Sequence, residues 1–213
     1  MYHLNIPLKI IDADKLMPAP IKAKHRNRLL DSHGRQIRDL RLSVTDRCNF
    51  RCVYCMEPDV VYMPKKELLS LDEYVRLAKI SQSLGITKLR ITGGEPTLYP
   101  QLQELLEAVG TMGFDDIALT TNGSMVTESI ATQWKNAGLR RVTVSLDTLK
   151  PRRKDAITRS HTTLKDVITA IDIVRDVGLT PVKVNAVIMR GVNDDEVADF
   201  AQFAKDHEID MRL

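Results

Sequence analysis

Aligned on a glycine, four stretches repeat one alternation: GITKLRIT from Gly85, GFDDIALT from Gly113, GLRRVTVS from Gly138 and GLTPVKVN from Gly178. Apolar side chains follow each glycine at the same places: Ile86, Leu89 and Ile91; Phe114, Ile117 and Leu119; Leu139, Val142 and Val144; Leu179, Val182 and Val184. A period of two residues is that of a β-strand. Upstream of each glycine the apolar residues recur at helical spacing instead. The clearest run is Leu71, Tyr74, Val75, Ala78 and Leu84, opened by Ser70 with Glu73 three places on, a capping box. Another holds Leu164, Val167, Ile168, Ile171 and Val174; shorter ones hold Leu102, Leu105, Leu106 and Val109, then Ile130, Ala131 and Trp134. The glycines suit helix C-caps, where the backbone turns left-handed.

The unit is therefore helix, glycine stop, strand, repeated, which predicts parallel strands joined by right-handed crossovers. An earlier strand, Leu40 to Val44, precedes the first helix. After Val187 a helix around Val197, Phe200, Ala201 and Ala204 leads to the opening of a sixth strand at Asp210 to Leu213. The expected class is α/β, a partial (β/α) TIM-like barrel with outer helices; periodicity alone leaves a doubly wound open sheet as the alternative.

The second face of these strands carries Arg41 and Ser43, Arg90 and Thr92, Ala118 and Thr120, Thr143 and Ser145, Lys183 and Asn185, and Arg212. Barrel interiors are normally filled by branched apolar residues, and parallel sheets are usually covered on both faces. A polar, cationic inner face thus predicts a wide cavity suited to an anion. Thr92, Thr143 and Ser145 can satisfy one another, but Arg41, Arg90 and Lys183 together require partners if they are buried.

Composition narrows the class. The chain has 213 residues, 43% hydrophobic and 28% charged, with 10 Gly and 9 Pro, which excludes a disordered or collagen-like protein. No apolar run is long enough to span a membrane, and the first twenty residues have no apolar signal core, so a cytoplasmic protein is expected. The net charge of +3 is a weak argument for nucleic acid and suits a phosphorylated small molecule equally well. The basic stretch Lys22 to Arg28 reads as part of a solvated N-terminal arm over 1–29, ahead of a barrel over 30–213.

All 3 cysteines, Cys48, Cys52 and Cys55, fall within eight residues directly after the first strand, where barrel active-site loops lie. An odd, bunched set is no disulfide framework. The C-x3-C-x2-C spacing supplies three thiolates to a cube of four irons and leaves one iron open. The alternative is zinc, with His161 or His207 as fourth ligand.

The cysteine motif, with Thr92-Gly93-Gly94-Glu95-Pro96 after the second strand, resembles the radical S-adenosylmethionine (SAM) superfamily. LRLSVTDRCNFRCVYCM, RITGGEP, TTNG from Thr120 to Gly123, VSLDTL from Val144 to Leu149 and VKVNAVIMRGVND from Val182 to Asp194 narrow it further. Over about Leu30 to Leu213 they resemble the GTP 3′,8-cyclase family of molybdenum cofactor biosynthesis. Two loops depart from that family's pattern, Met56 to Val60 and the neighbourhood of Tyr99.

The resemblance implies a 4Fe–4S cluster on Cys48, Cys52 and Cys55, and SAM held by Tyr54, Gly93, Gly94 and Ser145. It implies GTP held by Arg41, Arg90, Thr120 and Lys183. The reaction implied is lyase chemistry: a 5′-deoxyadenosyl radical takes hydrogen from the ribose 3′ carbon, and attack on C8 gives 3′,8-cyclo-7,8-dihydro-GTP. Implied partners are GTP, an external one-electron donor and, by pathway, the next enzyme of molybdopterin synthesis; a homodimer is allowed, nucleic acid and membrane are not expected. The family's second cluster uses three further cysteines, and no cysteine follows Cys55. The chain is accordingly expected to be a fragment, the alternative being completion by a separate polypeptide, and alone to bind one cluster weakly and cyclise GTP poorly or not at all. Two other readings stay open: a radical SAM enzyme acting on a peptide or another small molecule, and a non-catalytic metal-binding remnant.

Overall fold

Each glycine that closes a helical stretch has the backbone its position demands. In the computed structural model, which describes residues 28–213, φ is 89° at Gly85, 79° at Gly113, 97° at Gly138 and 86° at Gly178. Side chains with a Cβ enter this region only at a cost, so the helix stops and the strand begins there. The arm expected over 1–29 lies, apart from Arg28 and Leu29, outside the described residues.

The chain runs β1 (Asp39–Ser43), α1 (Leu71–Ser83), β2 (Lys88–Thr92), α2 (Leu102–Gly110), β3 (Asp116–Thr121), α3 (Glu128–Asn136), β4 (Arg141–Ser145), α4 (Pro151–Thr158), α5 (Leu164–Asp176), β5 (Lys183–Asn185), α6 (Val197–Asp206) and β6 (Asp210–Arg212). All six strands are parallel and their order in the sheet is their order in the sequence. A doubly wound sheet reverses direction at a switch point; this one does not, and the partial barrel stands. The Ser70–Glu73 capping box is formed at the start of α1, and Thr163 with Asp166 builds a second one on α5.

Helix α4 is not legible in the periodicity. Its sequence, PRRKDAIT, has one large apolar residue, yet Lys154, Ile157 and Thr158 are buried. It starts on Pro151, whose missing N–H costs nothing at a first helical turn, and ends on Arg159 in the left-handed region at φ 46°.

The apolar strand positions form the core. Leu42, Leu89, Ile91, Ile117, Leu119, Val142, Val144, Val182 and Val184 are buried in one cluster with Tyr74, Leu105, Trp134 and Ile171 from the helices. Each such aliphatic side chain contributes about 1.5–3 kcal/mol by leaving water. On the other face the register sets Arg41 beside Arg90, Thr120 beside Thr143, Thr143 beside Lys183 and Asn185 beside Arg212. That face is polar, as expected, and partly open to solvent.

Candidate functional site

The loop leaving β1 carries the three cysteines, all free thiols. Cys48, Cys52 and Cys55 line one cavity of about 220 Å³ together with Tyr54, Gly93, Gly94, Thr120 and Ser145. Eight of the eleven residues singled out in the sequence thus share one space. Phe50, Leu146 and Val167 add apolar wall.

Four separate elements hold this loop in place. The Arg51 and Val53 amides donate to the Thr158 and Ile157 carbonyls at 2.8 and 2.9 Å, docking the loop on the C-terminal end of α4. Asn49 donates to Ser124 Oγ and accepts from Asn122 Nδ2, both at 2.8 Å, tying it to the TTNG turn after β3. Tyr62 donates to the Cys48 carbonyl at 3.0 Å, with the Arg47 and Arg51 guanidinium groups over its ring. The Tyr54 hydroxyl donates to Asp147 Oδ2 at 2.7 Å, reaching the loop after β4.

Asp147 is itself fixed. Its Oδ1 accepts from the Val187 amide at 2.9 Å, while fully buried Asn193 donates to the Asp147 and Val187 carbonyls. Asp147 and Asn193 thus explain why SLD and GVND accompany the cysteine motif: they lock the ends of β4 and β5 under Tyr54. Neither was singled out as a site residue, and their spacing carries no periodic signal.

Gly93 and Gly94 are required here by packing. A Cβ on Gly93 would stand 2.6 Å from the Thr45 carbonyl oxygen, and one on Gly94 would stand 2.4 Å from that of Arg47. The β1 and β2 loops close on each other instead, through Gly94 N–H to Thr45 at 2.6 Å and Glu95 N–H to Arg47 at 2.7 Å. Tyr99, in one of the two divergent loops, packs edge-on against Tyr74 at 5.8 Å between ring centroids.

The cations sit lower on the strands. Arg41 and Arg90 line a second cavity of about 230 Å³ with Lys88, Arg141, Asp39 and Asp116; Lys183 lines neither cavity. Arg90 connects the two, donating to Thr120 at 3.4 Å and Thr143 at 3.2 Å. Burial lowers its pKa, and Arg141, Arg41 and Arg212 push in the same direction. Burial likewise lowers Lys183, followed by Arg212 and Arg141, against a lone opposing carboxylate at Asp210. Arg141 is paired with Asp116; the face as a whole has cations crowding one another, a field that favours an anion.

Burial raises the Cys48 thiol, and it pushes Cys52 up to about 12, with Asp147 and the other two thiols adding to it. A metal centre would supply the positive charge that favours the thiolate form of Cys48 and Cys52. Among the described residues no three His, Cys, Asp or Glu side chains are gathered as a ligand set for one metal ion. His207 pairs with Asp172 and stacks on Phe203, and exposed His161 is not in the cavity wall. Three thiols lining one cavity, with no histidine in its wall, are a donor set that fits an iron–sulfur cluster. Asn185, in register with Ser145, has a buried Oδ1 with no hydrogen-bond partner, an acceptor that a ligand donor would satisfy.

A partial parallel barrel with a three-cysteine loop at the end of its first strand defines a recognised class. The family model of the Radical SAM superfamily matches residues 42–204, and the chain belongs to that superfamily. Among curated proteins it is 44% identical over 186 residues to the GTP 3′,8-cyclase of Marinobacter nauticus, covering 87% of this chain and 56% of that one. To the GTP 3′,8-cyclase of Acidothermus cellulolyticus it is 45% identical over 189 residues, covering 86% and 52%. The chain spans about half the length of the curated relatives it matches. Among solved structures it resembles Streptococcus suis SuiB bound to the precursor peptide SuiA, with TM-score 0.68, 19% identity, and 80% and 37% of the two chains covered. Native anSMEcpe with bound AdoMet gives TM-score 0.65 at 17% identity, covering 81% and 50%. At these identities the structural likeness concerns the fold alone. No helix among the described residues is long and apolar enough to cross a membrane.

Proposed function

We propose that this chain is the cluster-bearing part of a radical SAM GTP 3′,8-cyclase acting in molybdenum cofactor biosynthesis. Cys48, Cys52 and Cys55 hold a 4Fe–4S cluster; Tyr54, Gly93, Gly94 and Ser145 face SAM; Arg41, Arg90, Thr120 and Lys183 receive GTP. One observation carries the reading: Thr120, in the wall of the cavity lined by the three cysteines, accepts a hydrogen bond from Arg90, on the strand face crowded with cations. A redox centre beside a polyanion site suits a nucleoside triphosphate better than a peptide. The names of the curated relatives favour the same substrate.

When bound, the cluster and SAM supply one-electron chemistry able to take hydrogen from an unactivated carbon, which joining ribose C3′ to guanine C8 requires. The chain's own groups orient the reactants. Arg41 and Arg90, side by side in register, present guanidinium forks that match phosphate oxygens, and Lys183 adds a point charge from β5. Thr120 is held by Arg90 at the boundary between the two cavities. Phe50, Leu146 and Val167 exclude water and competing hydrogen donors from the space beside the cysteines.

The test is anaerobic reconstitution with iron and sulfide, then dithionite and SAM, with 5′-deoxyadenosine measured with and without GTP. The proposal expects visible iron–sulfide absorbance, its loss in Cys52→Ala, and a GTP-dependent rise in 5′-deoxyadenosine. Zinc at the cysteines, or full iron content in Cys52→Ala, would overturn the cluster assignment. 5′-Deoxyadenosine formed without any response to GTP would overturn the substrate assignment.

A further inference from the structure

Lys154 is a charged side chain in an unusual position. It sits in α4, one turn before the Ile157 and Thr158 carbonyls that dock the cysteine loop, and its side chain is 2% exposed. It lines the same cavity as Cys48, Cys52 and Cys55. Its Nζ donates to Ser160 Oγ at 2.9 Å and lies 5.3 Å from the centroid of the Phe50 ring, within the cysteine loop. Among the described residues one carboxylate pairs with it, Asp155, at 3.7 Å, and that carboxylate is itself 65% exposed, so water weakens its hold on the buried ammonium; Asp166 adds a more distant attraction. An ammonium has three N–H donors, and one neutral hydroxyl uses one of them.

A buried cation with so little opposing charge is destabilising unless something anionic occupies the space beside it. A four-iron cluster on three thiolates is net negative, and gains one further negative charge on reduction. Cluster potential responds to nearby charge as well as to hydrogen bonding and solvent access.

We infer that Lys154 is a positioning residue that acts through its charge, as the buried counter-ion of the cluster, making its one-electron reduction more favourable. The inference rests on the cluster assignment above. The step it concerns is simple: an external low-potential donor loses one electron, the cluster gains it, and no bond forms or breaks. The ammonium keeps its proton throughout and stabilises the reduced state more than the oxidised one. Phe50, part of the cysteine loop itself, presents its ring face to the cation.

The experiment is a dithionite titration of the reconstituted 213-residue protein, monitored by electron paramagnetic resonance, for wild type, Lys154→Met, Lys154→Gln and Lys154→Arg. Iron content and circular dichroism are recorded for each. Both neutral variants should load iron as wild type does but be reduced about tenfold less favourably, equivalent to 59 mV more negative for one electron. Lys154→Arg should restore the wild-type potential. Equal potentials in wild type and both neutral variants would overturn the inference and leave Lys154 a purely structural residue. Weakened SAM binding at unchanged potential would overturn it too, making the lysine a ligand contact. Failure of the wild type itself to take up iron and sulfide would instead sink the cluster assignment.

Discussion

Glu95 is almost wholly buried, and its carboxylate is satisfied entirely from within. Oε1 accepts from the Thr97 amide at 3.1 Å and from the Thr97 and Thr121 hydroxyls at 2.7 Å; Oε2 accepts from the Asn122 amide at 2.7 Å. Through these four hydrogen bonds the side chain joins the β2 and β3 loops. Glu95→Ala strands several buried donors and should cost about 3 kcal/mol in urea unfolding. Tyr54→Phe is milder. It removes one hydrogen bond to Asp147 and should cost about 1 kcal/mol, while iron uptake by the reconstituted protein is retained.

Among the elements, the β1 and β2 loops and helix α4 decide whether the site forms. Gly94→Ala forces a Cβ into backbone that cannot retreat, because the Thr45 and Arg47 carbonyls there already accept hydrogen bonds. The variant should lose about 3 kcal/mol of stability, read as a lowered thermal midpoint, and should retain less iron after reconstitution. Helix α4 is tied to the start of α6 by Lys150 and Arg153, both paired with Asp195. Those hydrogen bonds lower the Asp195 pKa from 3.8 to about 2. A depressed carboxylate pKa stabilises the fold above its unfolded value and loses that contribution as the proton returns. The wild type should therefore lose stability as pH falls from about 4 to about 2, and Asp195→Asn should show a shallower decline there, measured by urea midpoints at each pH.

For the molecule as a whole, the consequence of six parallel strands in sequential order is that all their carboxyl ends open on the same side. The cysteine loop, GGEP, TTNG and SLD, scattered over about a hundred residues of sequence, meet there because of that order. Below them the cations of β1, β2 and β5 share the inner face. On the proposed reading, Arg90→Gln should weaken GTP binding about tenfold in equilibrium dialysis with the reconstituted protein, and added salt should narrow the gap between variant and wild type.

Residue order by itself determined the helix–glycine–strand repeat, the division of each strand into an apolar and a polar face, and the bunching of three thiols after β1. These are local properties: a strand shows a face every second residue, and a C-cap needs a residue tolerant of positive φ. That the strands form a partial barrel and not a doubly wound sheet was decided by their order, which no local pattern encodes. Helix α4 and its buried Lys154 were invisible for a related reason, since a run of charges reads as a solvated face until a neighbouring loop packs over it. Asp147 and Asn193 likewise acquire their role only when β4 and β5 lie side by side. Gly93 and Gly94 show the difference most plainly: the resemblance of their motif marked them, and only the approach of the Thr45–Arg47 backbone explains why neither position has room for a Cβ.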